Sequence, residues 1–406
     1  MSTTSTAAAW RAVIGFGFVS LAADMVYEGA RSVSGPLLAS LGASAVLVGL
    51  ITGAGEAMAL VLRVVFGPLA DRTGAYWSLT IIGYGLTAVC VPLLAITPAV
   101  GAAGLGFACV LLLAERTGKA IRSPSKSALL AEMARQVGRG RGFGVHKAMD
   151  EVGAFAGPLL VAALIGATGL IAPAMAWLAI PGALCMLLLF WLRAKTPTDL
   201  GSKAPTSSGR GWWAETFGTH LGRPFFLFAA CSALTTAGLV TFGVISFHLD
   251  AAHLIPLAAI PVAYAAGQAT SGLVALVNGY AYDRVGARVL FVLPVLVAVV
   301  PALAFTRTAW IAVAGVLCWG AASGLQDSTV KALVADLVEP DRRATAYGVF
   351  AAIQGGAAIL GGAAAGFLYE TSLPTLIALV AATQVAAAVL LWLTIRRHGT
   401  GSGTAS

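Results

Sequence analysis

The sequence predicts an all-α integral membrane protein, with twelve transmembrane helices built as two parallel six-helix repeats. Three observations carry this. The chain of 406 residues is 58% hydrophobic and only 10% charged, where soluble proteins carry about 25% charged residues. Its mean hydropathy is +0.88, and apolar runs repeatedly reach the ~20 residues that cross a bilayer as a helix. The third observation is a set of internal matches at constant offsets.

The apolar runs place spans at 11–31, 43–66, 75–97, 101–131, 143–168, 171–192, 224–249, 255–280, 287–306, 308–336, 345–369 and 373–395. The N-terminal MSTTSTAAAW lacks a basic segment, so the first run reads as an uncleaved helix. Between the sixth and seventh spans, residues 193–223 are rich in Ser, Gly, Pro and Thr and read as a cytoplasmic linker. Trp212, Trp213, Phe217 and Leu221 in its second half suit a membrane surface. The expected organisation is an N-terminal bundle (1–192), the linker (193–223), and a C-terminal bundle with a cytoplasmic tail (224–406).

Charge sets the orientation. With an even number of spans, the basic residues from Arg11 and Arg72 through Arg396 and Arg397 collect on one side, and the opposite loops hold only Arg31 and Arg307. Basic residues favour cytoplasmic loops, which places both termini in the cytoplasm and the chain in the cell (inner) membrane. The net charge of +8 therefore reports topology and gives no reason to invoke nucleic acid. Cys90, Cys109, Cys185, Cys231 and Cys318 all lie in apolar runs without metal-ligand spacing. No Walker loop, nucleophile elbow or metal-ligand cluster is visible, so neither an enzyme, a cofactor nor a metal site is expected.

The internal repeat is specific. GPLADRTG (67–74) recurs as GYAYDRVG (279–286), an offset of 212. ALLAE (128–132) recurs as ALVAD (332–336), an offset of 204 that continues through Gly144/Gly348 and Gly157/Gly361. Same-sense repeats of six spans are a known transporter architecture.

With these motifs in view, the chain resembles the major facilitator superfamily over essentially its whole length. GPLADRTG follows the second span, where that family places its G-x-x-x-D-R-x-G loop, and its copy follows the eighth. GVHKAMDEVGAFAGP (144–158), in the fifth span, is similar to the family's antiporter motif, although its final Gly-Gly is Val161-Ala162 here. The resemblance implies that the D-R loops latch the halves on the cytoplasmic side, through Gly67, Asp71, Arg72 and Gly74 and through Gly279, Asp283, Arg284, Gly286 and Arg288. Gly67 and Gly74 permit a tight turn, and Asp71 suits a helix N-terminus. Gly144, Gly153 and Gly157 allow close helix approach, and Pro158 should bend its helix. The first loop has Ala75-Tyr76-Trp77 where the family usually has further basic residues, whereas the second keeps Arg288.

Ionisable residues inside a span are expensive and mark function. They concentrate in the first half: Asp24, Glu28 and Arg31; Glu56 and Arg63; Glu115, Arg116, Lys119, Arg122 and Lys126; His146, Lys147, Asp150 and Glu151. The second half offers chiefly Thr235, Thr236, Gln268, Asn278 and Gln326, with Asp327 and Lys331 as charges. Glu115, Lys119, Arg122 and Lys126 share one helical face, which by resemblance looks into a central cavity and so at water or acidic partners. Glu115, Asp24 and Glu28 lead as proton carriers, with Glu56, Asp150 and Glu151 behind them. Arg116, Lys119, Arg122 and Arg31 are the candidates for holding an anionic substrate group. Buried ion pairs that only brace the bundle are the competing reading.

The expected function is secondary active transport by alternating access, foremost proton-coupled export of a small organic molecule, with uptake or exchange of an anionic organic solute as the alternative. A transport-dead scaffold has no support in the sequence. The expected partners are a small-molecule substrate, protons and the lipid bilayer, with the chain acting as a monomer.

Overall fold

The computed structural model describes residues 3–195, 221–338 and 343–401. Every regular element among them is helical. The α-helices in chain order are α1 (Thr3–Arg31), α2 (Ser34–Ser40), α3 (Ala45–Val61), α4 (Arg63–Thr73), α5 (Tyr76–Leu93), α6 (Gly104–Met133), α7 (Arg139–Thr168), α8 (Ile171–Trp177) and α9 (Ala179–Lys195). After the linker come α10 (Arg223–Gly238), α11 (Phe242–Ala251), α12 (Ala259–Val285), α13 (Val292–Ala304), α14 (Ala309–Leu337), α15 (Arg343–Thr371) and α16 (Leu373–Gly401). Most of the linker, including Trp212, Trp213 and Phe217, lies outside the described residues.

Eleven stretches among the described residues are long and apolar enough to cross a membrane. One of them, Tyr76–Met133, runs for 58 residues. At 1.5 Å per residue it would be about 87 Å long, far more than one crossing needs. Gly101, at φ +68°, breaks it between α5 and α6. It therefore holds the third and fourth spans, which restores the expected twelve.

The chain divides into two compact units. The first contains residues up to Gly42, Met58 to the linker, and Leu257–Ala265; the second contains Ala43–Ala57, the segment from the linker to Pro256, and Ala266 onward. The division is thus not a single cut at the linker. Within the second unit, Gly49 and Gly53 of α3 press so closely on α15 that a Cβ on either would strike the carbonyls of Gly362 and Ala358. The Ala45 N–H also donates to the Glu370 carboxylate at 2.6 Å. Small residues are what let helix backbones approach this closely in a membrane.

The repeat is visible in the packing of each unit. In the first, Gly153 and Gly157 of α7 lie against the backbone of Leu21 and Met25 on α1. In the second, Gly361 of α15 lies against Ala237 of α10. These partners stand at the offsets of 204 and 212 read from the sequence. Gly144 has open space around it, so the close approach expected of all three glycines is made by two. Gly157→Val is therefore expected to destabilise the protein by at least about 1–3 kcal/mol through overpacking, whereas Gly144→Ala leaves it unchanged. Thermal unfolding of the two variants, followed by Trp fluorescence, checks the contrast.

The duplicated loops match in backbone conformation. Gly74 caps α4 at φ +65°, and Gly286 ends α12 at φ +68°, a region where glycine avoids a steric penalty. Gly67 and Gly279 instead sit inside helices, Gly67 with Pro124 Cβ 3.8 Å from where a Cβ of its own would lie and Gly279 with open space. The turn thus rests on the second glycine of each motif.

Candidate functional site

The intramembrane charges of the first unit gather where α1, α5, α6 and α7 meet. On α1, Ser20, Asp24, Tyr27, Glu28 and Arg31 follow helical spacing and form one stripe. It faces the charged side of α6.

Tyr27 is the centre of the first group. Its phenol oxygen receives Lys119 Nζ at 2.8 Å, Arg31 Nη1 at 3.2 Å and an N–H of Arg116. Lys119 Nζ and the Arg116 guanidinium also stand 3.9 and 4.4 Å from the ring centroid, in cation–π range. Two carboxylates border these cations. Glu28 lies 3.9 Å from Arg31 and accepts a hydrogen bond from Tyr264. Glu115 lies 3.5 Å from Arg116 Nε.

A second group lies one to two turns toward the start of α1. Lys126 Nζ is 3.6 Å from Asp150 and 3.3 Å from Ser20 Oγ. Ser20 also meets Tyr84 OH at 2.9 Å and His146 Nε2 at 3.2 Å. Asp24 lies between the two groups, within the electrostatic reach of Asp150, Lys126, Lys119 and Glu28. Among the described residues it makes neither a hydrogen bond nor an ion pair.

The third group is sealed in the α5–α6 interface. Glu115 is 3% exposed and Arg122 is 4% exposed. Thr87 links them: Arg122 Nη1 donates to Thr87 Oγ1 at 2.6 Å, and that hydroxyl donates to Glu115 at 3.3 Å. Arg122 further donates to the Gly83 carbonyl at 3.4 Å and lies over the Tyr84 ring at 4.9 Å. Its charge is committed to the bundle and leaves little surface for a substrate.

The structure thus sorts the predicted residues. Asp24, Glu28, Arg31, Arg116, Lys119, Asp150 and, through Thr87, the pair Glu115 and Arg122 come together. Glu151 does not join them: it pairs with Lys147 at 2.5 Å on an exposed face of α7. Glu56 is grouped with the second unit. The face of α6 expected to look into a cavity is divided: Lys119 and Lys126 turn to α1 and α7, while Glu115 and Arg122 are buried against α5. A helical face about 60° wide can touch two neighbours, which helix spacing alone does not distinguish.

Tyr27, Ser20, Tyr84, Thr87 and Tyr264 were not among the sequence candidates. The spacing 20, 24, 27, 28, 31 on α1 was the available signal for the first two. In the loop motif, Asp71 accepts from the Tyr76 phenol at 3.0 Å, at the start of α5, and not from a helix N–H. The helix position of Asp283 is described, but its side chain is not.

The second unit carries a neutral counterpart. At the same offsets, Ser20, Asp24, Arg122 and Asp150 correspond to Ser232, Thr236, Gln326 and Gln354. These four are joined by amide donors: Gln354 Nε2 to Ser232 Oγ at 2.8 Å and to Thr236 at 3.4 Å, and Gln326 Nε2 to Thr236 at 3.1 Å. One position in the duplicated scaffold is charged in one unit and uncharged in the other.

A sequence profile described as the Major Facilitator Superfamily matches residues 13–271 and 255–405. The chain is 47% identical over 397 residues to an uncharacterized protein of Mycobacterium tuberculosis, covering 96% of this chain and 94% of that one. Among solved structures it is similar to the nucleoside transporter NupG, with a TM-score of 0.70 and 16% identity over 95% of this chain and 99% of that chain. It is similar also to a bacterial homolog of the human lysosomal transporter Spinster, with a TM-score of 0.67 and 16% identity over 98% and 97% of the two chains. At such identities these likenesses speak for the fold.

Proposed function

Because the chain belongs to the Major Facilitator Superfamily, we propose that it is a secondary active transporter that exchanges a small organic molecule for protons, in the direction of export, through the charged cluster of its first unit. The observation that carries this reading is Asp24, an acid among charges and without a direct partner among the described residues. A carboxylate in that position has two ways to be satisfied: by a proton or by a donor group of the substrate. Where both compete for one carboxylate, loading the substrate expels the proton, which is the requirement for antiport.

The other acids suit this role less well. Glu28 is engaged by Arg31 and Tyr264, and Asp150 lies beside Lys126. The neighbouring cations favour the ionised acid, whereas burial favours the protonated one, so small movements of Lys119 and Lys126 bias the balance at Asp24. The D-R loops act as cytoplasmic latches in this reading, and both termini are cytoplasmic in the cell membrane, the chain working as a monomer.

Uptake or exchange of an anionic solute is the second reading. It is favoured by five cations facing four acids in the cluster: Arg31, Arg116, Lys119, Arg122 and Lys126 against Asp24, Glu28, Glu115 and Asp150. The two readings differ in whether proton and substrate compete or bind together. Proteoliposomes containing the protein and a trapped pH dye, offered a panel of small organic solutes, separate them. Antiport predicts that a transported solute and protons move in opposite directions. Co-movement supports anion uptake, and transport indifferent to an imposed pH gradient contradicts both.

A further inference from the structure

We infer that the Tyr27 group and Asp24 form the two ends of a binding site for a small zwitterion, with an anionic oxygen of the substrate seated on Lys119 and its ammonium on Asp24. This rests on the transport reading above and names the substrate class for the same cluster.

The anionic end follows from donor counting. Three cationic donors, from Arg31, Arg116 and Lys119, converge on the phenol oxygen of Tyr27. A phenol oxygen has two lone pairs, so it accepts at most two of them at once. Among the described residues its own O–H makes no hydrogen bond. The arrangement is therefore oversupplied with donors around a neutral oxygen. Two of the three cations have a carboxylate at hand, Glu28 for Arg31 and Glu115 for Arg116. Lys119 has none among the described residues; Tyr27 is its partner. An ammonium with three donors and one neutral acceptor is the natural seat for a carboxylate-type oxygen, and charge-assisted bonds are roughly twice as strong as neutral ones.

The cationic end is Asp24. It stands one helical turn before Tyr27, about 4.5 Å along the axis of α1, and has no direct partner among the described residues. Lys119 acts on it electrostatically but does not pair with it. Two opposite charges held apart on one wall, each short of a partner, are complementary to a molecule that carries both charges a few ångströms apart. A pure anion would leave Asp24 unmet, and a pure cation would leave Lys119 unmet. A group left unpaired on substrate binding is what makes a polar site reject the wrong analogue.

The test uses full-length protein in detergent and three probes of equal chain length: 4-aminobutanoate, butanoate and butylamine. Binding is read as the shift in thermal unfolding, with no pH gradient present. The zwitterion is expected to raise Tm by about 2–4 °C, with smaller or no shifts from the other two, and the shift is expected to vanish in Lys119→Gln and to shrink without vanishing in Asp24→Asn, whose amide oxygen still accepts from the ammonium. Monodisperse elution of both variants, with unliganded Tm near wild type, keeps loss of fold apart from loss of binding. Stabilisation by butanoate alone, or by butylamine alone, equal shifts from all three, no shift from any, or a full shift in Lys119→Gln each overturns the proposal. Zwitterion binding without proton movement in the liposomes retains this site and removes the antiport reading; proton-coupled transport confined to solutes of a single charge does the reverse.

Discussion

Asp24→Asn is expected to abolish pH-gradient-driven transport while leaving substrate-for-substrate exchange across proteoliposomes largely in place. The asparagine keeps the size of the side chain and its capacity to hydrogen-bond but removes the titratable proton. Gradient-driven transport requires the proton to leave at one stage of the cycle and return at another. Exchange of labelled for unlabelled solute requires neither. The expected ratio is a loss of at least ~100-fold in the driven rate, equivalent to about 2.7 kcal/mol, against a change in exchange of less than about tenfold. Equal loss of both activities would instead assign Asp24 to substrate binding or folding alone, and retention of both would remove it from the mechanism. Glu28→Gln provides a control on the same helix face, because Glu28 is already held by Arg31 and Tyr264.

Arg122→Met is expected to be the most destabilising single change in the cluster. Arg122 and Glu115 are nearly inaccessible and share Thr87 as a bridge. Removing the cation leaves Glu115 in the α5–α6 interface with a hydroxyl bond and Arg116 at 3.5 Å. Breaking one partner of a buried charged system costs roughly 3–5 kcal/mol, whereas replacing the whole system by apolar groups can be nearly neutral. The double variant Arg122→Met/Glu115→Gln is therefore expected to recover much of the lost stability, although the single Glu115→Gln is mild. Thermal unfolding of the three variants tests this as a cycle. Additive losses would show that Arg122 and Glu115 do not act as a unit.

Much of the fold was legible because membranes impose strong rules. The lengths of the apolar runs fixed the spans, and the offsets of 212 and 204 reappear as the packing of Gly157 on Met25 and of Gly361 on Ala237. The exchange of Ala43–Ala57 and Leu257–Ala265 between the units was not legible. It depends on which helix the glycines of α3 meet, and hydropathy says nothing about that. At the site, the concentration of charge in the first half was plain, because each such residue interrupts an apolar run. The roles were not. Helical spacing put Glu115, Lys119, Arg122 and Lys126 on one face, but that face spans two neighbours, and only packing separates the buried pair from the lysines. Tyr27 escaped notice because a tyrosine in an apolar helix looks like an interfacial or packing residue until three cations are seen around its hydroxyl.

The neutral counterpart in the second unit sharpens the functional argument. Ser232, Thr236, Gln326 and Gln354 fill this position of the scaffold with amides and hydroxyls, although the buried Gln326 carbonyl oxygen has no hydrogen-bond partner among the described residues. Bracing a six-helix bundle here therefore does not require Asp24, Arg122 or Asp150 to be charged. The charge in the first unit calls for a separate reason, and proton-coupled binding supplies one.

The most direct measurement is the number of protons exchanged when a transported solute binds to the detergent-solubilised protein in weakly buffered solution. Competition at Asp24 predicts release of up to about one proton per solute bound, with reciprocal weakening of solute affinity as pH falls, and no release from Asp24→Asn. Solute binding that moves no protons, or the same release from Asp24→Asn as from the unaltered protein, would contradict it.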